Sequence, residues 1–354
     1  MITTKSFAFA LLLGAAVTGC AASAPDPSDD PSDPSNPGDP DQPLPPDVDA
    51  SGKYQVRSQI NLAENAPGKA GDVVRTIIAA TDEADDPTKW ILEQVIDNIG
   101  SGTIRNLLNG AKPFIAGYLN DRLLDIAPDF VTTMVTMGND FGQAAQSFGL
   151  NETIELSKTG GGYTATRTVL GAHFKIDAAE SDYAFADYGT QNVVTSGVSA
   201  TLEPATGKLT FGDHKVGLPY GAMLRIGLDN AIIPLLDPSA SNLLELLQHQ
   251  VDCYAVGYYV DEAAYNAFGF SPGPGTFEAA CDVGLQKAAD LIYSKIADID
   301  GSALELGVTG VAKALDKNGD KQLDTIQTGK WEGNMSYAGT PATLTDATFY
   351  GSRM

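Results

Sequence analysis

Val198-Ser199-Ala200-Thr201-Leu202-Glu203-Pro204-Ala205-Thr206-Gly207-Lys208-Leu209-Thr210-Phe211 is the stretch on which the fold reading turns. Val198, Ala200 and Leu202 alternate with polar neighbours, and Leu209 and Phe211 resume the alternation after a Pro/Gly-bearing link. Period-two alternation puts one face in a core and the other in water, so the two runs make a hairpin of antiparallel strands.

The pattern extends outward on both sides. Residues 150–233 read as β, with Gly160-Gly161-Gly162 as a turn before a strand over 163–176. Ala222, Leu224, Ile226 and Leu228 alternate with Met223, Arg225, Gly227 and Asp229, which predicts another strand. Far upstream, Tyr54, Val56, Ser58, Ile60 and Leu62 alternate with Gln55, Arg57, Gln59 and Asn61. Downstream, Leu304, Leu306 and Val308, then Trp331, Gly333, Met335 and Tyr337, and finally 344–350, repeat the signal.

Between these runs lie helical patterns. A short helix is expected over 72–80. A longer helical region spans 87–148, where Ile91, Leu92, Val95, Ile96 and Ile99 form one stripe, Gly100-Ser101-Gly102 breaks it, and Ile104, Leu107, Leu108 and Ala111 begin a second. After Pro128, the residues Phe130, Met134, Met137, Phe141, Ala144 and Phe148 recur in steps of four and three on one face. Methionine and phenylalanine make that face adaptable, so Phe130, Met134, Met137, Phe141 and Phe148 are candidate liners of an apolar ligand site as well as packing residues. Asn242 with Glu245 fits a capping box ahead of Leu243, Leu247, Val251 and Tyr254. Thr276 is a candidate cap for a helix bearing Phe277, Cys281, Leu285, Ala288, Ile292, Ile296 and Ile299. The expected fold class is α+β, with antiparallel sheet segments packed against long amphipathic helices in the order β, α, β, α, β.

The N-terminus fixes the compartment. Lys5, an apolar run of about a dozen residues and then small residues make the three-part layout of a secretory signal, too short to span a bilayer. It ends in Val17-Thr18-Gly19-Cys20, which resembles the lipobox of bacterial lipoproteins. The resemblance implies cleavage before Cys20 and lipidation of that residue, hence a membrane partner through an N-terminal lipid anchor. Ala21 after the cysteine implies outer-membrane sorting. The expected organisation is a signal peptide over 1–19, a lipidated cysteine with a disordered Asp/Pro-rich tether over 20–50, and a globular domain over 51–354. Proline fixes φ and removes donors, and the aspartates repel one another, so the tether cannot form a core. In polyproline-like form it would reach on the order of 80–90 Å.

The formal net charge is −23, and eight of those charges sit in the tether. Nucleic acid needs a basic face and docking on anionic headgroups a polybasic patch, so the charge argues against both. With Cys20 committed to the anchor, Cys253 and Cys281 remain in an exported chain, and one disulfide is expected.

One stretch looks like a metal loop. Asp316-Lys317-Asn318-Gly319-Asp320-Lys321-Gln322-Leu323-Asp324 resembles an EF-hand calcium loop, which implies oxygens from Asp316, Asn318, Asp320 and Asp324 and a carbonyl at Gln322 gathered on calcium. Lys321 stands where that family has glycine and Gln327 where it has a bidentate glutamate. The competing reading is a hairpin tip turned at Asn318-Gly319. Calcium is the one expected ion. No nucleophile elbow, zinc-helix, phosphate-cradling or dinucleotide motif occurs, and His173, His214 and His249 have no ligand spacing. A non-enzymatic binding protein for lipid or another apolar ligand is therefore expected. The alternative is an envelope interaction module stiffened by a calcium hairpin.

Overall fold

The computed structural model describes residues 43–62, 66–82, scattered positions between 105 and 127, 129–176, 179–269 and 271–354. The stripe residues Ile91, Leu92, Val95, Ile96, Ile99, Ile104, Leu107, Leu108 and Ala111 lie outside the described residues, as do 1–42 with Cys20.

Nine strands are described: β1 (Gly52–Leu62), β2 (Ser147–Thr159), β3 (Gly162–Ile176), β4 (Ala179–Ala184), β5 (Val193–Glu203), β6 (Lys208–Leu218), β7 (Leu304–Leu315), β8 (Thr325–Tyr337) and β9 (Thr340–Arg353). Every pairing between them is antiparallel. The sheet order is β2-β1-β9-β8-β7-β6-β5-β3-β4, and β2 also pairs with β3, so eight strands close on themselves and β4 extends β3 outside the ring. The protein is a closed eight-stranded antiparallel barrel. This corrects the expected α+β arrangement of sheet segments packed on long helices. Most of the segments were legible as strands. Closure depends on β1 meeting β9, as in Tyr54 opposite Arg353 and Val56 opposite Gly351, and no local signal encodes that pairing.

The helices are α1 (Gly68–Asp82), α2 (Phe130–Gln146), α3 (Tyr220–Gly227), α4 (Ile233–Leu236), α5 (Leu243–Gln250), α6 (Cys253–Phe268) and α7 (Pro274–Ile299). All of them enter at one barrel end, in the β1–β2 and β6–β7 connections. The strand expected over 222–229 is α3 followed by a π-turn, Leu228–Ile232. Met223 and Leu224 are both buried, and so are Gly227 and Leu228. Adjacent residues can both be buried on a helix but not on a half-buried strand. The Asp300 carboxylate accepts from Gly221 and Ala222 N–H at 2.7 Å each and caps the start of α3.

Other boundaries shift by a turn. Phe148 belongs to β2, since α2 stops at Gln146. Val251 ends α5, and Asp252 caps a new helix through Tyr254 and Ala255 N–H. Asn242 Oδ1 accepts from Glu245 N–H at 3.0 Å, while Glu245 reaches back to Ser241 rather than to Asn242. Helix α7 opens at Pro274, two residues before Thr276. Cys253 and Cys281 form a disulfide with Cα atoms 5.6 Å apart, tying α6 to α7.

The opposite barrel end carries the β2–β3, β5–β6 and β7–β8 hairpins. Residues 43–50, expected as the end of the tether, are packed against it. Leu44, Val48 and Ala50 are buried, Leu44 N–H donates to Pro204 O, and Asp49 pairs with Gln322 in a parallel bridge. Arg353 clasps this seam, donating to Leu323 O at 2.7 Å, Ser51 O at 2.9 Å and the Tyr54 hydroxyl at 3.0 Å. No described helix is long and apolar enough to cross a membrane.

Candidate functional site

The barrel lumen is occupied by side chains. Eight strands enclose a space that side chains can just fill, or that can hold one small ligand. Here Tyr54, Phe211, Trp331 and Phe349 fill it, with Arg167 at 2 % exposure and Glu152 at 0 %. Arg167 makes a bidentate pair with Glu152, its Nη2 donating to Oε1 at 2.8 Å and its Nε to Oε2. The guanidinium lies 4.3 Å from the Trp331 ring centroid, and Trp331 stacks on Phe349 with centroids 4.1 Å apart. Trp331 Nε1 donates to Ser58 Oγ at 3.0 Å. Arg167 Nη1 donates to His214 Nε2 at 3.1 Å, and His214 Nδ1 donates to Gly212 O at 2.9 Å. Because arginine only donates and a carbonyl only accepts, the tautomer is fixed with the proton on Nδ1.

Burial pushes the His214 pKa below the ordinary histidine value, and the adjacent Arg167 charge pushes it the same way. A group with a depressed folded pKa takes up its proton more readily when unfolded. Its neutral form therefore supports the fold above about pH 6.5, and that contribution declines as pH falls below it. Urea unfolding followed from pH 7.5 to 5 should show a fall in stability that is shallower in His214→Gln. Equal slopes in the two proteins would show that His214 does not carry the effect.

The candidate apolar ligand face is part of the core. Phe130, Met134, Met137, Phe141 and Phe148 are 3, 8, 1, 0 and 1 % exposed. The side chains of α2 pack toward α1, β2 and β3, and Phe148 meets Tyr220 with ring centroids 5.7 Å apart.

The acidic loop is a hydrogen-bonded turn. Asp316, 2 % exposed, accepts from Gly319 N–H at 2.8 Å and Lys321 N–H at 2.9 Å. Asn318 accepts from Asp320 N–H, Asp320 from Gln322 N–H, and Asp324 from Lys317 N–H. Among the described residues no three His, Cys, Asp or Glu side chains gather as a metal group. Asp316→Ala leaves two part-buried amides without their charged acceptor and should cost about 1–3 kcal/mol in a denaturant titration. Melting the unmodified protein in calcium and in chelator tests the ion separately, and identical curves would leave the loop as a turn alone.

Surface grooves lined by described residues offer other places for a site. One, of about 450 Å³, lies between α3 and α7 and includes Arg225, Asp229 and Asp300. Burial raises the pKa of both carboxyls. Both are nonetheless engaged: Asp300 caps α3, and Asp229 accepts the Tyr293 hydroxyl at 2.5 Å with Arg225 Nε 3.5 Å away.

A second, of about 410 Å³, crosses the outer wall over β1, β9 and β8. It forms where the β8–β9 register slips. Ile326 pairs with Gly351 and Gly329 with Phe349, leaving Gln327 and Thr328 opposite Tyr350 alone. Thr328 has φ 45°, a left-handed conformation that β-branched residues rarely adopt. The hydroxyl of Thr325, which lines the groove, is the one buried side-chain oxygen among the described residues without a hydrogen-bond partner. Such strain and such an orphan both tend to mark functional surfaces. Tyr350, 57 % exposed, stands at the rim. Beside it Arg57 pairs with Asp182 at 2.5 Å, and Asp182 also accepts from Asn151 at 3.0 Å and lies 2.7 Å from His173 Nδ1. Desolvation pushes the Asp182 carboxyl up, but the Asn151 and His173 hydrogen bonds and the Arg57 charge outweigh it and hold the pKa below the usual carboxylate value.

None of these groove residues stands out in the sequence. The one signal is negative: alternation fails over 325–329 before resuming at Trp331, as expected of a bulge. Neither a family model, nor a curated protein, nor a solved structure matches this chain.

Proposed function

We propose that the chain is a lipid-anchored, non-enzymatic binding protein of the cell envelope that holds a polar ligand in the outer-wall groove. A closed eight-stranded barrel is an architecture compatible with a ligand-binding protein. In this barrel the lumen is filled by Arg167, Trp331 and their neighbours, which favours the outer wall over an enclosed lipid. The observation that carries the reading is the coincidence at one place of a groove of about 410 Å³, a register slip, and the unpartnered Thr325 hydroxyl. The volume falls in the range of small-molecule sites. Anchoring at Cys20 would tether the molecule through residues 43–50 at the hairpin end and leave the wall free.

Saturation-transfer NMR with small hydroxyl- and amide-bearing fragments tests the site. Fragments should receive saturation from the unmodified protein and lose it in Gln327→Ala and Tyr350→Ala. Signals unchanged by both substitutions would remove the groove as the site. Stoichiometric lipid in organic extracts of the purified protein would replace the reading with the apolar one.

A further inference from the structure

We propose that the groove's ligand is a neutral glycan, laid across β1, β9 and β8 as a short run of sugar rings. This rests on the groove being the binding site and adds the chemistry of what binds there.

The lining is uncharged in effect. Arg57 is its one ionic side chain, and Asp182 neutralises it at 2.5 Å. A carboxylate or ammonium ligand would find no opposite charge available, and the net charge of −23 works against polyanions. What the groove offers is the carboxamides of Gln55 and Gln327 and the hydroxyl of Ser352. A carboxamide both donates and accepts, and so does a sugar hydroxyl, so each matches the other without a charge on either side. Tyr350 supplies the remaining element: an exposed aromatic face, negative at its centre, suits the C–H-bearing face of a pyranose.

A peptide ligand fits less well. Extended peptides are taken up by pairing with a sheet edge. At this wall β1, β9 and β8 each have a strand on both sides, so no edge is open.

The test uses the full chain purified in a detergent without a sugar headgroup. Maltohexaose, cellohexaose and hexameric N-acetylglucosamine are titrated by saturation-transfer NMR and calorimetry. At least one should bind with a dissociation constant on the order of 0.1–1 mM. Tyr350→Ala and Gln327→Ala should each weaken it at least tenfold while leaving the melting temperature unchanged. If no sugar binds at millimolar concentration but polar fragments still bind in a manner lost in Gln327→Ala, the site stands and the glycan assignment falls. If neither sugars nor fragments bind, both fall. Sugar binding unaltered by either substitution places the sugar elsewhere and overturns the proposal.

Discussion

Glu152→Gln should lower the free energy of unfolding by about 3–5 kcal/mol. The substitution keeps the side chain's size, so it opens no cavity. It removes the charge that balances Arg167, which is 2 % exposed inside the barrel. Arginine cannot discard its proton, so the uncompensated cation stays in a low-dielectric interior. The remaining partners do not replace the carboxylate. His214 Nε2 offers one neutral acceptor, and the Trp331 face offers a cation–π contact worth roughly 0.5–2 kcal/mol. The double replacement Glu152→Leu with Arg167→Met removes both charges together, and it should recover at least half of the loss. Chemical denaturation of Glu152→Leu, Arg167→Met and the double variant gives the coupling directly. A loss under 1 kcal/mol in Glu152→Gln would mean that water reaches Arg167.

The consequence extends to the outer wall. Ser58 faces in and Arg57 out; Phe349 faces in and Tyr350 out. The stacked Trp331 and Phe349, with Trp331 bonded to Ser58, therefore fix from inside the three strands whose outer faces make the groove. Under the proposed function, loosening the buried pair should weaken binding in the groove even though none of its atoms line it.

The sequence carried the local structure well and the global closure poorly. Tyr54–Leu62, the Val198–Phe211 hairpin and the Cys253–Cys281 link were legible because each is encoded in its own alternation, turn residues or cysteine count. The barrel was not, because its decisive pairings join β1 to β2 and to β9 across long intervening segments. Arg167 and Glu152 are only 15 residues apart on one hairpin, yet they were invisible as partners because charged residues inside strands read as solvent-facing by default. Residues 220–229 misled because alternating Ala, Leu and Ile also occur on a helix buried on several sides. The capping acid there, Asp300, lies 78–79 residues away. The groove escaped notice because what builds it is a missing alternation.

The closed ring also predicts which glycine is least replaceable. Gly333 of β8 has φ 155°, a region that side chains rarely enter. It lies opposite Val308, and a Cβ added to it would stand 2.0 Å from the Gly307 carbonyl oxygen, which is backbone on the neighbouring strand. In an open sheet an edge strand could shift to make room. In this barrel β7 is held by β6 and β8 by β9, so displacement at one pairing strains the next. Gly333→Ala should therefore combine backbone strain with overpacking, for a loss of about 3–5 kcal/mol. Gly197 of β5 is the control. It has φ 77°, and a Cβ added there would meet nothing within 4 Å, so Gly197→Ala should incur only the left-handed penalty, roughly 1–2 kcal/mol. The two variants measured side by side by urea unfolding separate conformational strain from steric conflict. If they lose the same amount, β7 and β8 can part without penalty, and the ring is more compliant than its continuous hydrogen bonding implies.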